Sequence, residues 1–233
     1  MMYYHNLMQD AAKAGTMPGT RRNAVRIAMP VRGVYRNGGK RIVDIALVLL
    51  ALPFITVIIA LLALAVASQG GRPFYTQDRV GRGGRLYKIW KLRTMIPDAD
   101  AALERHLAAV PAARAEWNAT QKLKNDPRIT RVGLMLRKTS MDELPQLWNV
   151  LRGDMSLIGP RPMLPSQTGM YPGTAYYHLR PGISGSWQVS ARNESHFADR
   201  ASYDTAYYSK VTFAADAGIL AATLRVVMRA TGH

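Results

Sequence analysis

The chain has 233 residues, enough for one domain of ordinary size with a core of its own. Lysine and arginine number 31 against 15 aspartates and glutamates, a formal charge of +16 that points to a polyanionic partner: nucleic acid, an anionic membrane surface or phosphorylated substrates. There is no cysteine, which excludes disulfides and thiolate metal sites.

Met1 to Asn37 reads as a mostly polar, arginine-rich tail, expected to be disordered and to carry no cleavable signal peptide. Gly38-Gly39-Lys40-Arg41 then leads into Ile45 to Ala67, 23 residues with no charge and one polar side chain, Thr56. A helix of that length can span a bilayer. Two features argue against a simple span. Pro53 sits inside the run, where its missing N–H and its ring predict a kink. Basic residues also flank both ends: Arg32, Arg36, Lys40 and Arg41 before, Arg72, Arg79, Arg82, Arg85 and Lys88 after. A spanning helix would carry one basic flank across the membrane, against the positive-inside bias, whereas a helix broken at Leu52-Pro53 that dips in and returns keeps both cytoplasmic. The sequence therefore favours a re-entrant helix-break-helix over residues 38–70, followed by a cytoplasmic domain over 71–233.

Phe74 to Met95 reads as a β-hairpin, with Val80-Gly-Arg-Gly-Gly84 as the turn and LYKIWKL alternating in strand fashion. Lys88, Lys91 and Arg93 form a basic patch there, which suits either a site or simple attraction to lipid headgroups. Asp98 to Lys122 reads as helix interrupted at Pro111, and Asn125-Asp-Pro127 as a turn.

The segment Arg137 to Pro162, RKTSMDELPQLWNVLRGDMSLIGPRP, concentrates the chemistry. Arg137 and Lys138 open it, Asp142 and Glu143 are adjacent carboxylates, and Pro160 and Pro162 hold Arg161 between them. Cations beside an acid pair suit phosphoryl chemistry, because cations bind phosphate oxygens while acids bind Mg2+ or attack phosphorus. The same residues also spell a helix capping box, Ser140 as N-cap and Glu143 at N3. Both readings stand on this segment alone. Beyond it, Leu144, Leu147, Trp148 and Leu151 recur at helical spacing as a core stripe, with Gly153 as the stop.

Arg180 to Asn193 reads as a compact loop or strand pair that includes Arg192, a further phosphate candidate. Asp204 is a candidate site carboxylate, while His178 and His196 lack metal-ligand spacing. The last helix, about Ala214 to Met228, places Ile219, Leu220, Thr223, Leu224 and Val227 on one face, for the core or the bilayer surface. The common nucleotide and zinc motifs are absent.

These motifs resemble the bacterial sugar transferases, the monotopic polyprenyl-phosphate phosphoglycosyl transferases. The resemblance lies in KRIVDI, KIWKLRTM, RKTSMDELPQLWNVLRGDMSLIGPRP, RPGISGSWQV and DTAYY, in the family's order, from about Lys40 to the C-terminus. It implies an α+β fold: the re-entrant membrane segment, a small cytoplasmic α/β catalytic domain and interfacial amphipathic helices. It further implies transfer of a sugar 1-phosphate from a UDP-sugar to undecaprenyl phosphate, with release of UMP, at the cytoplasmic face of the bacterial inner membrane. Asp142 matches the family's nucleophile and Glu143 its partner, both implied in Mg2+ binding. Lys91, Arg93, Arg137, Pro160, Arg161, Pro162 and Arg192 match positions tied to phosphate or nucleotide. The donors most in keeping are UDP-galactose and UDP-glucose, as in exopolysaccharide-initiating members, and a homodimer is an open expectation. Two departures stand out: Leu52-Pro53 replaces the usual Ser-Pro, and Ala191-Arg192 a frequent Gly-Arg. A non-catalytic basic membrane scaffold is the competing reading; no nucleic-acid-binding motif accompanies the charge.

Overall fold

The computed structural model describes residues 33–120, 123–190 and 197–228. Residues 1–32 of the expected tail (1–37), Arg192, His196 and the end of the chain beyond Met228 lie outside them. After an irregular turn at Tyr35–Gly39 comes α1, Lys40–Ala67. It runs through Pro53 as one helix rather than as two helices separated by a break. Proline removes a single N–H donor, and the bonds on either side suffice to keep the helix continuous. α1 is long and apolar enough to cross a membrane, yet few of its apolar residues are buried in the protein. Leu50 is 74% exposed and Phe54 75%. A core helix of a water-soluble domain would hide these side chains, so α1 has the surface of a lipid-embedded helix.

The sparse contacts of α1 lie on both sides of Pro53. Before it, Val48 packs with Ile89, Leu147, Val150 and Met155; after it, Val66 packs with Leu92 and Leu136. Asp44 accepts from Ser156 Oγ at 2.7 Å and from the Leu157 amide at 3.2 Å.

The hairpin forms as expected. β1 (Phe74–Val80) pairs antiparallel with β2 (Leu86–Leu92), Tyr75 facing Lys91 and Arg79 facing Tyr87. Gly83 and Gly84 take φ of 70° and 79° in the turn, where a side chain would be strained. Lys88 and Lys91 lie on opposite faces of β2, so the expected basic patch divides. The helical stretch after it breaks at Pro111 as expected, into α2 (Ala99–Ala109) and α3 (Pro111–Thr120), which the proline opens.

α4 (Arg131–Thr139) and α5 (Gln146–Arg152) follow, with Gly153 ending α5 at φ 90°. Asn149, wholly buried on α5, acts as a surrogate strand for β2. Its Nδ2 donates to Lys88 O at 2.8 Å and its Oδ1 accepts from the Trp90 amide at 3.0 Å. The expected core stripe is corrected here: Val150 is wholly buried, while Trp148 is 56% exposed. α5 packs against both α1 and β2, and that contact turns Asn149 and Val150 inward.

β3 (Ser156–Ile158) pairs parallel with β4 (Gly182–Ser184), so the strands form two separate two-stranded ribbons among helices. α6 (Ala175–His178) precedes β4, and α7 (Ser186–Ser190) occupies part of the expected loop or strand pair. α8 (Arg200–Ser209) and α9 (Phe213–Met228) close the described chain. On α9, Ile219 and Leu220 pack beside Tyr207 and Val211, and Thr223 bonds Ser184, but Leu224 is exposed rather than on their face.

Candidate active site

α4 begins at Thr130, whose Oγ1 accepts from the Gly133 amide at 2.9 Å, an N-cap that fixes the helix start. It ends at Ser140 with φ 56°, in the left-handed region. That conformation reverses the chain into a single 3-10 turn, Met141–Glu143, which presents the acid pair. The capping box is therefore corrected. Ser140 makes no side-chain cap, because it closes the preceding helix and lacks the extended backbone an N-cap requires. A non-glycine residue held left-handed stores strain of about 1–2 kcal/mol, and here it sits one residue from the acid pair's turn.

Across from the turn, Lys91 Nζ lies 2.8 Å from Glu143 Oε1 and 3.6 Å from Asp142 Oδ2. The Asp142 side chain is only 13% exposed. Burial pushes its pKa up and Glu143 adds to the rise, against Lys91 and Arg137, which favour the anion. Arg137, in the last turn of α4, donates from Nε to Thr94 Oγ1 at 2.9 Å, and burial lowers its pKa. These groups line one cleft of about 810 Å³.

Arg161 reaches the same cleft from the other side. Its loop is clamped to β4: the Gly159 amide donates to Ser184 O at 2.9 Å and the Gly182 amide to Pro160 O at 2.8 Å. A Cβ on Gly182 would stand 2.1 Å from the Gly159 nitrogen, so the two backbones meet where a side chain has no room. Pro160 is buried and the Pro162 carbonyl accepts from Arg79 Nη1 at 3.1 Å. Arg161 makes no hydrogen bond or ion pair among the described residues, and Asp154 pairs with Arg152 instead.

Arg79 is the residue that sequence reasoning missed at the cleft. It stands beside Arg161, and burial followed by that like charge lowers its pKa. Strand parity carried the signal: Tyr75, Gln77 and Arg79 share the hairpin face of Lys91, and all four line the cleft. Adjacent guanidiniums in a half-buried wall favour an anionic ligand with several oxygens.

Other expected site residues go elsewhere. Arg93 borders the cleft, but its Nη2 donates to Val66 O at 3.1 Å and also to Gly70 O, capping the end of α1. Asp204 is no cleft carboxylate: it is 5% exposed and accepts from Tyr171 OH at 2.8 Å inside the core. His178, whose spacing offered no metal site, packs on the Tyr208 ring.

For a metal, Asp142 and Glu143 are the adjacent carboxylates beside Lys91, Asp98 and Asp100 also line the cleft, and no group of three or more His, Cys, Asp or Glu residues that could hold a metal gathers among the described residues. Two carboxylates fit Mg2+, a hard cation that completes its oxygen shell with substrate phosphates and water.

The family described as bacterial sugar transferase matches residues 35–230. The UDP-galactose-lipid carrier transferase of Erwinia amylovora is 43% identical over 195 residues, 83% of this chain and 41% of its own length. The undecaprenyl-phosphate galactose phosphotransferase of Salmonella typhimurium is 44% identical over the same shares of both chains. The exopolysaccharide production protein ExoY of Rhizobium meliloti is 38% identical over 97% of this chain and 99% of its own. The chain thus spans about two fifths of the first two relatives and nearly all of the third.

Proposed function

This chain belongs to the bacterial sugar transferase family, and on that premise we propose that it transfers a hexose 1-phosphate from a UDP-hexose to undecaprenyl phosphate, the first membrane step of exopolysaccharide or related glycoconjugate synthesis. The observation that carries the reading is the half-buried acid pair facing Arg137, Arg79 and Arg161 across one cleft.

In this reading Asp142 attacks the phosphorus bonded to the sugar. An oxygen–phosphorus bond forms, the bond to the uridine phosphate breaks, and UMP leaves with its electron pair. The undecaprenyl phosphate oxygen then attacks the same phosphorus and releases Asp142, giving undecaprenyl-diphospho-sugar. A carboxylate is a weak nucleophile, so charge on the diphosphate must be drained for the attack to proceed. Arg161 and Arg79 do this with forked, permanent donors, and the clamp on Gly159 and Pro160 limits the freedom Arg161 loses on binding. Lys91 orients both carboxylates and holds Asp142 towards its anion. Mg2+, held by Asp142 and Glu143, would supply further charge neutralisation. UDP-galactose is the preferred donor, since two of the relatives carry galactose in their names.

The contacts of α1 support a re-entrant, cytoplasm-facing placement. Arg41 and Val48 on one side of Pro53, and Val66 on the other, touch the same domain. In a straight helix Arg41 and Val66 would stand about 37 Å apart, more than the roughly 30 Å hydrocarbon core. A spanning helix would put those contacts on opposite sides of the bilayer, so contact of one domain with both ends favours a helix that stays on the domain's side of the membrane. Cysteine mapping tests this cleanly, because the chain has no cysteine of its own. Asn6→Cys and Ser166→Cys should both label from the cytoplasm, and periplasmic labelling of Asn6→Cys alone would mean a span. For the reaction, purified protein with undecaprenyl phosphate should release UMP fastest from UDP-galactose or UDP-glucose. UMP release from neither would end the assignment.

A further inference from the structure

The start of α1 walls a second cavity, about 590 Å³, that shares no lining residue with the catalytic cleft. Arg36, Arg41, Arg82, Arg180 and His178 line it, and Asp44 is the single carboxylate on its wall among the described residues. Asp44 is already committed to Ser156 and Leu157. A further cation, Lys40, is balanced by Asp216 at 2.5 Å.

The arginines are held by neutral groups. Arg41 donates to Val150 O at 2.6 Å and Leu151 O at 3.0 Å, and Arg180 Nε donates to Gly153 O at 2.9 Å. Arg36 donates to Tyr208 O and stacks over that ring at 4.3 Å from its centroid. Carbonyls satisfy N–H groups but leave the positive charges standing. The repulsion is felt: after burial, Arg41 and Arg82 are what lower the pKa of Arg180. Like charges gathered around a cavity at the expense of stability call for an anion, and forked donors suit the oxygens of a phosphate.

Location selects the source. Arg36 and Arg41 stand at the base of a helix whose next turns carry exposed leucines, so the cavity opens at the depth of lipid headgroups. We propose that this cavity binds the headgroup phosphate of an anionic membrane lipid, at a site separate from the catalytic cleft. The inference rests on the membrane placement of α1 and is independent of the chemistry in the cleft.

The test uses the full chain in neutral detergent, with no nucleotide sugar present. Short-chain phosphatidylglycerol, phosphatidylcholine and inorganic phosphate are titrated separately and bound lipid is counted by native mass spectrometry. Wild type should retain phosphatidylglycerol at least tenfold more tightly than phosphatidylcholine. The double variant Arg82→Gln/Arg180→Gln should lose that preference. Arg82→Gln alone, on the exposed hairpin turn, should weaken binding severalfold and keeps the test valid if the double variant does not fold. Unchanged binding by Arg82→Gln, or equal retention of the two lipids by wild type, overturns the site. Inorganic phosphate displacing the lipid at equal concentration overturns the lipid source in favour of a soluble phosphate. UMP release is assayed separately, so failure here leaves the reading of the cleft untouched.

Discussion

Two aspartates invite comparison, Asp142 half-buried in the cleft and Asp204 buried away from it. Burial raises the pKa of both. Asp142 opens onto a cavity walled by Lys91, Arg137 and Arg161. Asp204 is sealed among aromatic side chains, accepting from Tyr171 OH, while the nearby Arg200 stacks 4.2 Å over Trp187 and 4.6 Å over Phe197. Its pKa is pushed up to about 7, near that of a histidine, without any opening for a substrate. A perturbed carboxylate is thus a poor marker of chemistry by itself. What separates the two is access and an excess of cations facing the open side.

The comparison breaks first at Asp142, the proposed nucleophile. Asp142→Asn should lower sugar-phosphate transfer at least about a thousandfold and abolish covalent label from a radiolabelled UDP-hexose, whereas Asp204→Asn should keep both. Label retained by Asp142→Asn, with deamidation excluded by intact mass, would remove the covalent step. Glu143→Gln should fall less far, by roughly two orders of magnitude, since it loses charge but not the bond-forming atom. Arg161→Lys keeps the charge and forfeits the fork. It should cost about tenfold or more, at about 1.5–3 kcal/mol for a charge-assisted bond. Its melting temperature should stay that of wild type, with a smaller shift on adding UMP. A lower melting temperature with the full UMP shift would make Arg161 structural.

Two pH measurements sharpen the contrast. Lys91 favours the Asp142 anion, so in Lys91→Met the acid limb of the rate profile should move to higher pH, and an unmoved limb would sever that link. For Asp204 the effect is on stability. Its pKa rises from 3.8 to about 7 on folding, so the folded state binds the extra proton. That stabilisation is complete below about 3.8 and is lost as pH climbs towards about 7. Asp204→Asn should flatten the melting temperature over this window relative to wild type. Parallel curves would mean that Asp204 stays ionised in the fold.

The hairpin was legible because its signals are local: glycines in the turn and alternation in the strands. The acid pair and Gly159-Pro-Arg-Pro162 were legible for the same reason, as residue types in fixed spacing. The backbone at Ser140 was not. Ser-x-x-Glu reads alike whether a serine starts one helix or ends another, and only the presence of α4 decides between them. Trp148 misled because helical spacing fixes relative angles and leaves open which side meets a partner. Arg79 required pairing Tyr75 with Lys91, a register that the turn length sets and single residues do not.

The ties of α1 have a mechanical consequence. Near its start Arg41 grips the last carbonyls of α5; at its far end Val66 and Gly70 are gripped by Arg93, next to β2. Two grips removed from each other along one helix resist twisting as well as lifting, where a single anchor would leave the domain free to swivel. The turn bearing Asp142 lies between α4 and α5, so its height and tilt are set by the same two fixtures. The acceptor in the proposed reaction is a lipid-borne phosphate, which diffuses in a plane and searches two dimensions. On the proposed placement, an acid pair stationed at one altitude above that plane would meet it without a third coordinate to search.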